Sequence, residues 1–223
     1  MKRLFISATG TNVGKTYVAV KLIDAFARRG IRVGVCKPVE TGVLDTPLDA
    51  ELLLKACQSV NPSFSGLSPE AITAFTFPLP AAPFCADTRG VIDPEKILEK
   101  VETLQSRCDL LIVEGAGGLL VPITQEFRMV DLAASLDAGL LLVTPSRLGS
   151  INDTLLSLEA LDSRGIDFDW CVNLYEDRDD FAEVTQPYYD AAHPGWWSVE
   201  DGLERYVDRS LSTLSREKPE ERS

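Results

Sequence analysis

Ala8-Thr9-Gly10-Thr11-Asn12-Val13-Gly14-Lys15-Thr16 is the densest run of chemistry-bearing residues in the sequence. It lies between a short apolar run and a helical pattern, which is the setting a phosphate requires. A helix N-terminus offers unpaired N–H groups and a partial positive charge. Gly14 lets the backbone approach an anion, Lys15 reaches β- and γ-phosphates, and the Thr16 hydroxyl can ligate Mg²⁺. The regular loop G-x-x-x-x-G-K-[ST] has glycine where this chain has Thr9, so the loop is a variant. A second segment is Val113-Glu114-Gly115-Ala116-Gly117-Gly118. A carboxylate at the end of a central strand can make a further Mg²⁺ contact, and glycines admit phosphate or substrate close to the backbone. Read alone, the same segment is equally a tight turn with a charged residue. A third is Val35-Cys36-Lys37-Pro38-Val39-Glu40-Thr41-Gly42. Lys37 ends a strand on the edge that carries the phosphate loop. By itself it is either a surface charge or an electrophilic group placed by its strand.

These residues need elements to hold them. Residues 4–7 read as a strand and 8–14 as a loop. Residues 15–29 have Val18, Leu22, Ile23 and Phe26 on one helical face, closed by Gly30. Residues 32–37 form a strand ended by Pro38, and 48–57 form a helix. Residues 60–87, rich in proline, serine and alanine, read as an irregular excursion. Asp93-Pro94 starts a helix that runs to about residue 106. Strands at 110–113, 139–144 and 168–173 alternate with helices at 130–136 and 152–163. The strands are unbroken apolar runs, which means a mostly parallel sheet covered by helices on both faces. The expected fold is therefore α/β and P-loop NTPase-like. Residues 1–209 form one domain, followed by a polar tail over 210–223.

Composition removes other classes. The chain has 223 residues, 45% hydrophobic and 25% charged, which is globular and neither disordered nor fibrous. Twenty-two basic and 34 acidic residues leave a net charge of −12. That balance argues against a non-specific nucleic-acid partner, which needs a basic face. A local loop of N–H groups with a lysine can still hold phosphate. Five cysteines with no C-x-x-C pair and the single histidine His193 fit neither zinc nor a disulfide framework. Reduced thiols in a cytoplasmic protein are the expectation. No run reaches about 18 uncharged apolar residues, so no membrane partner is expected. Met1-Lys2-Arg3 precedes an apolar stretch too short for a signal peptide, and it reads as the first strand.

Taken together, the segments resemble dethiobiotin synthetase, an ATP-dependent enzyme family of biotin biosynthesis. The likeness rests on the loop over 9–16, Lys37-Pro38-Val39-Glu40-Thr41-Gly42, Leu48-Asp49-Ala50, Ala82-Pro83, the run over 113–118 and Leu148-Gly149-Ser150-Ile151-Asn152. Order and spacing match from residue 4 to about residue 173. The resemblance implies that 7,8-diaminononanoate takes up CO₂ on one amine as a carbamate. The γ-phosphate of ATP then activates the carbamate as a carbamic–phosphoric anhydride, and the second amine closes the ring. It implies Lys37 and Lys15 as catalytic residues. Asn12, Val13, Gly14, Lys15, Thr16, Tyr17, Asp49, Glu114, Gly115, Ala116, Gly117 and Asn173 would bind nucleotide, with Thr16, Asp49 and Glu114 on Mg²⁺. Thr11, Thr41, Pro83, Gly149, Ser150, Ile151 and Asn152 would bind substrate, the last four at the interface of a homodimer. Ser150 and Asn152 also suit ordinary capping of the helix that follows.

The sequence departs from that family at Ala8, where many members have glycine, and at Asn12, where some have glutamate. Residues 174–223 do not align with the family's base-binding loop, which leaves the nucleobase open. Trp196 and Trp197 read as packing residues, and His193 receives no catalytic role. The main rival is a deviant P-loop ATPase switch of the partition or septum-positioning type. Such loops carry a lysine at the position of Gly10. A cobyrinate-type amidotransferase would need a glutaminase domain for which the chain has no room. A scaffold without turnover would not keep Lys15, Thr16, Lys37, Asp49 and Glu114 together.

Overall fold

The computed structural model describes residues 2–216, with the side chains of 213–216 excepted. Six parallel strands form the main sheet in the order β2-β5-β1-β6-β7-β8. They are β1 (Arg3–Ala8), β2 (Val33–Cys36), β5 (Leu110–Gly118), β6 (Gly139–Pro145), β7 (Phe168–Asn173) and β8 (Trp197–Ser198). Successive strand residues point to opposite faces. Every residue of β2, and every residue of β1 and β6 after the first, is buried, so both faces of the sheet are covered. This is the parallel arrangement expected from the unbroken apolar runs. The covering helices include α1 (Lys15–Ala27), α2 (Leu48–Val60), α4 (Pro94–Gln105), α5 (Met129–Ser135) and α6 (Ser150–Asp162).

The central strand β1 lies between β5 and β6, and the phosphate loop leaves its carboxyl end directly into α1. Pro38 breaks the chain after β2. The next residues form β3 (Val39–Thr41), which pairs in parallel with β4 (Phe75–Phe77) as a separate two-stranded sheet. The stretch read as irregular over 60–87 thus holds a strand, two short 3₁₀ turns and the single-turn helix α3 (Pro83–Ala86). A three-residue parallel strand has too little periodicity to be seen in sequence.

Two boundaries differ from expectation for physical reasons. β5 does not stop at Val113 but continues through Glu114 to Gly118. The strand stays paired with β1 as far as Gly118, with a register shift between Ile6 and Ala8, and Gly117 takes a positive φ of 66° within it. Residues after β7, unassigned by sequence, form α7 (Arg178–Val184), α8 (Gln186–Ala192), β8 and α9 (Val199–Arg216). The tail expected from residue 210 overlaps α9 as far as Arg216, and Ser210 is buried. The rest of that tail, 217–223, lies outside the described residues. Trp197 stacks on Tyr206 with ring centroids 5.0 Å apart, and Trp196 donates to Asp190 at 2.7 Å. Both tryptophans are packing residues, as expected.

Asn61 closes α2 and ties it to the sheet. Its Nδ2 donates to Val33 O at 2.9 Å and reaches Arg107 O at 3.4 Å, while its Oδ1 accepts from Ser63 N at 3.0 Å. Asn61 and its bond to Val33 are buried, and the other two bonds are partly so. Asn61→Ala strands those backbone groups and is expected to lower stability by about 1–3 kcal/mol in urea unfolding. An unchanged midpoint and slope would show that the tie contributes nothing.

Candidate active site

The carboxyl ends of β1, β2 and β5 bring three sequence segments to one place. A cleft of about 650 Å³ is lined by Thr11, Asn12, Gly14, Lys15 and Thr16 from the loop and by Lys37, Glu40 and Thr41 from the second segment. Asp49, Pro83, Glu114, Ala116, Gly117 and Val121 complete the part used below. A larger depression, about 940 Å³, lies at the opposite edge, by the first residues of β1, β6 and β7. Ligands of open α/β sheets bind at carboxyl ends, so the smaller cleft is the site.

At its floor, Lys37 Nζ donates to Glu114 Oε1 at 2.5 Å, to Asp49 Oδ2 at 2.8 Å and to Gly115 O at 3.3 Å. Thr16 Oγ1 donates to the same Glu114 oxygen at 2.9 Å. Lys37 and Glu114 are buried, while Asp49 is half-buried. Burial alone would lower the Lys37 pKa, but the charges of Glu114 and Asp49 outweigh it and hold the amine above its ordinary range. Burial likewise works against ionised Asp49, yet Lys37 keeps its carboxyl below the usual value. Glu114 Oε2 has no hydrogen-bond partner although it is buried. A buried, unpaired oxygen of this kind calls for a ligand group.

Lys15 folds back on its own loop, donating from Nζ to Gly10 O at 3.1 Å. Burial, and then the nearby Lys37 charge, lower its pKa to about 8. Gly14 sits in the left-handed region at φ 96° and precedes the first residue of α1. A Cβ there would lie 2.1 Å from Asn173 Nδ2. Asn173, buried at the end of β7, donates from that nitrogen to Val13 O at 3.0 Å and leaves its Oδ1 unpaired. The asparagine thus abuts the phosphate loop with one acceptor to spare. Tyr175 also reaches the loop, donating to Asn12 O.

Several expected residues stand apart from the cleft. Tyr17 is exposed and lies under Lys21, whose Nζ is 5.2 Å from the ring centroid. Helical periodicity turns it away from the residues flanking it. Gly149, Ser150, Ile151 and Asn152 form the start of α6 and do not line the cleft of their own chain. A groove of about 440 Å³ shares Thr11 and Val121 with the cleft and runs to Asp153, Leu156, Ser157 and Ala160 of α6. His193 is packed among rings, 6.0 Å from those of Trp170 and Tyr188. Sequence reading assigned nothing to Glu40, Val121 or Tyr175. None of the three carries a sequence pattern that marks it, and the partners of Glu40 are backbone N–H groups.

A sequence model of the AAA domain matches residues 2–171. The chain is 61% identical over 211 residues to the ATP-dependent dethiobiotin synthetase BioD of Sulfurovum sp. (strain NBC37-1), covering 95% of this chain and 100% of that protein. The chain belongs to the dethiobiotin synthetase family. The Wolinella succinogenes protein of the same name is 39% identical, over 96% of this chain and 100% of its own. Among solved structures, a GTPase in apo form from Pyrococcus abyssi matches with a TM-score of 0.55 at 13% identity, covering 96% of each chain. A ParA family ATPase from Chlorobium tepidum TLS matches at 0.53 and 16%, covering 97% of this chain and 93% of that one. Those likenesses establish the P-loop NTPase fold and nothing finer.

The loop geometry of this dethiobiotin synthetase family member makes a sharp expectation. Gly14→Ala must adopt positive φ and collide with Asn173, so nucleotide affinity should fall at least about tenfold, or about 1.4 kcal/mol, in titration calorimetry. Affinity within a factor of two of the parent would mean the loop is not held by that contact.

Proposed function

We infer that the protein is an ATP-dependent dethiobiotin synthetase, a ligase that carboxylates 7,8-diaminononanoate with CO₂ and closes the cyclic urea, releasing ADP and phosphate. The carrying observation is the meeting of Lys15, Lys37, Asp49 and Glu114 in one cleft at the mouth of the phosphate loop. One amine of the substrate attacks CO₂, forming a C–N bond and losing a proton to give the carbamate. A carbamate oxygen attacks the γ-phosphorus and ADP leaves. The second amine attacks the activated carbon, and phosphate departs with its electron pair. Both reactants in the phosphoryl transfer are anions, so the step depends on charge compensation and alignment. Lys15 stands where it meets the phosphates. Lys37, once turned into the cleft, would meet the carbamate, with Thr11 and Thr41 beside the amines and Pro83 against the chain.

The donor set fits Mg²⁺. Thr16, Asp49 and Glu114 offer only oxygens, which suits a hard cation, and Glu114 Oε2 is unsatisfied. No three His, Cys, Asp or Glu side chains gather as a complete metal cage among the described residues, so phosphate oxygens and water would finish the shell. Bound Mg²⁺ would neutralise charge on the β- and γ-phosphates. The Lys37 ammonium now stands between two of the three donors, Asp49 and Glu114. Two cations do not share that space, so Lys37 leaves the carboxylates when the site is loaded and turns into the cleft.

The start of α6 supports a homodimer. Gly149, Ser150, Ile151 and Asn152 open a helix and do not line their own cleft, and a helix N-terminus suits the carboxylate of substrate bound to the neighbouring copy, although the Ser150 N–H is already taken by Arg147 O at 3.1 Å. Leu120 and Leu156, which line the connecting groove, are exposed, and so is Leu148. No helix among the described residues is long and apolar enough to cross a membrane, and the reading places the enzyme in the cytoplasm. The partition-type reading lacks its lysine, since position 10 is Gly10.

ATP hydrolysis is expected only with diaminononanoate and bicarbonate present, one phosphate per dethiobiotin. Steady hydrolysis without them, stimulated by DNA or lipid, would favour the switch. Lys37→Ala should cut ring closure by about 10²-fold or more while nucleotide affinity stays within about threefold. Loss of nucleotide affinity with unchanged turnover per bound nucleotide would contradict the role given to Lys37. Lys15→Ala should weaken binding and turnover together.

A further inference from the structure

The helix that carries Asp49 begins without a cap of its own. Pro47 precedes α2 and supplies no side-chain acceptor. The open N–H groups are taken from outside. Asp49 N donates to Glu40 Oε1 at 2.9 Å, and Ala50 N donates to Glu40 Oε2 at 3.0 Å. Glu40 belongs to β3 and is 6% exposed. A carboxylate accepting two N–H bonds at a helix start satisfies orphan donors and meets the positive end of the dipole. Both oxygens are engaged by backbone, so Glu40 is not the group that takes a proton from substrate. The same short segment anchors Lys37, whose N–H donates to Ile72 O at 3.0 Å. Residues 37–40 therefore set the position of the ammonium and of the backbone from which its partner carboxylate springs.

We propose that Glu40 is a positioning residue for the reaction: its buried carboxylate clamps the first turn of α2 and thereby delivers the Asp49 carboxylate to the cation cluster with Thr16, Lys37 and Glu114. The inference rests on the reading above that Asp49 serves the metal-assisted phosphoryl step. It adds a residue whose two carboxylate oxygens are both engaged by the backbone of α2.

The test compares E40A, E40Q, D49A and the E40A/D49A double variant. Mn²⁺ affinity is read by electron paramagnetic resonance in the presence of ADP, without turnover, and hydrogen exchange is read at the amides of Asp49 and Ala50. Glu40→Ala should weaken Mn²⁺ at least tenfold and speed exchange at both amides. Glu40→Gln keeps one acceptor and should lie between the parent and Glu40→Ala. It also serves as the test if Glu40→Ala fails to fold. The double variant should bind Mn²⁺ no more weakly than Asp49→Ala, because Glu40 acts through that carboxylate. The proposal is overturned if the Glu40 variants lose thermal stability with Mn²⁺ affinity unchanged, if exchange stays at the parent rate, or if the two losses multiply. Parent-like Mn²⁺ affinity in Asp49→Ala would instead place the fault in the metal reading itself.

Discussion

Two anions must meet before a ring can close, and they must do so in a protein whose own net charge is −12. The molecule answers locally. Two ammonium groups enter one cleft from separate strand ends, each fixed by contacts that oppose its loss of charge or its drift. Lys37 is held by buried Glu114 and half-buried Asp49, and Lys15 by a carbonyl of its own loop. Burial of Lys37 without those carboxylates would favour loss of its proton. The cation and the carboxylates therefore stabilise each other in the empty site. On the proposed reading, the same carboxylates would be available to a metal once the ammonium turned away.

The sheet explains why these groups converge. β1 runs between β5 and β6, and β2 lies beyond β5. Residues at the carboxyl ends of β1, β2 and β5 are therefore neighbours although they are far apart in sequence. Glu114 can reach both Thr16 and Lys37 because it pairs with Ile6 near the carboxyl end of β1, on a strand that lies between β1 and β2. Asp49 arrives from a helix that the Asn61 tie and the Glu40 clamp hold at its two ends. The site is thus a product of parallel pairing, and no single segment contains it.

Much of this was legible before any coordinates. The strand–loop–helix around Lys15 is local, so residue order alone identifies it. The apolar strands are continuous because both faces are buried, which reveals the parallel sheet. Lys37 was ambiguous in isolation, because its role depends on carboxylates 12 and 77 positions away. Glu40 was invisible, because its partners are backbone N–H groups that no side-chain pattern records. The glycine run after Val113 was equally readable as a turn, since glycine in a strand and glycine in a loop read alike. Residues after 173 carried a usable signal that went unread. Val199, Leu203, Tyr206, Val207 and Ser210 fall at helical spacing and are buried along α9.

The central claim is that one lysine serves two stations, clasped by carboxylates in the empty enzyme and turned to the reactants in the loaded one. A crystal structure with a non-hydrolysable ATP analogue, Mg²⁺, diaminononanoate and CO₂ tests it directly. The account predicts Lys37 Nζ in hydrogen-bonding contact with the carbamate and no longer between Asp49 and Glu114. A loaded site in which Lys37 still bridges those two carboxylates, with metal and carbamate held elsewhere, would contradict it.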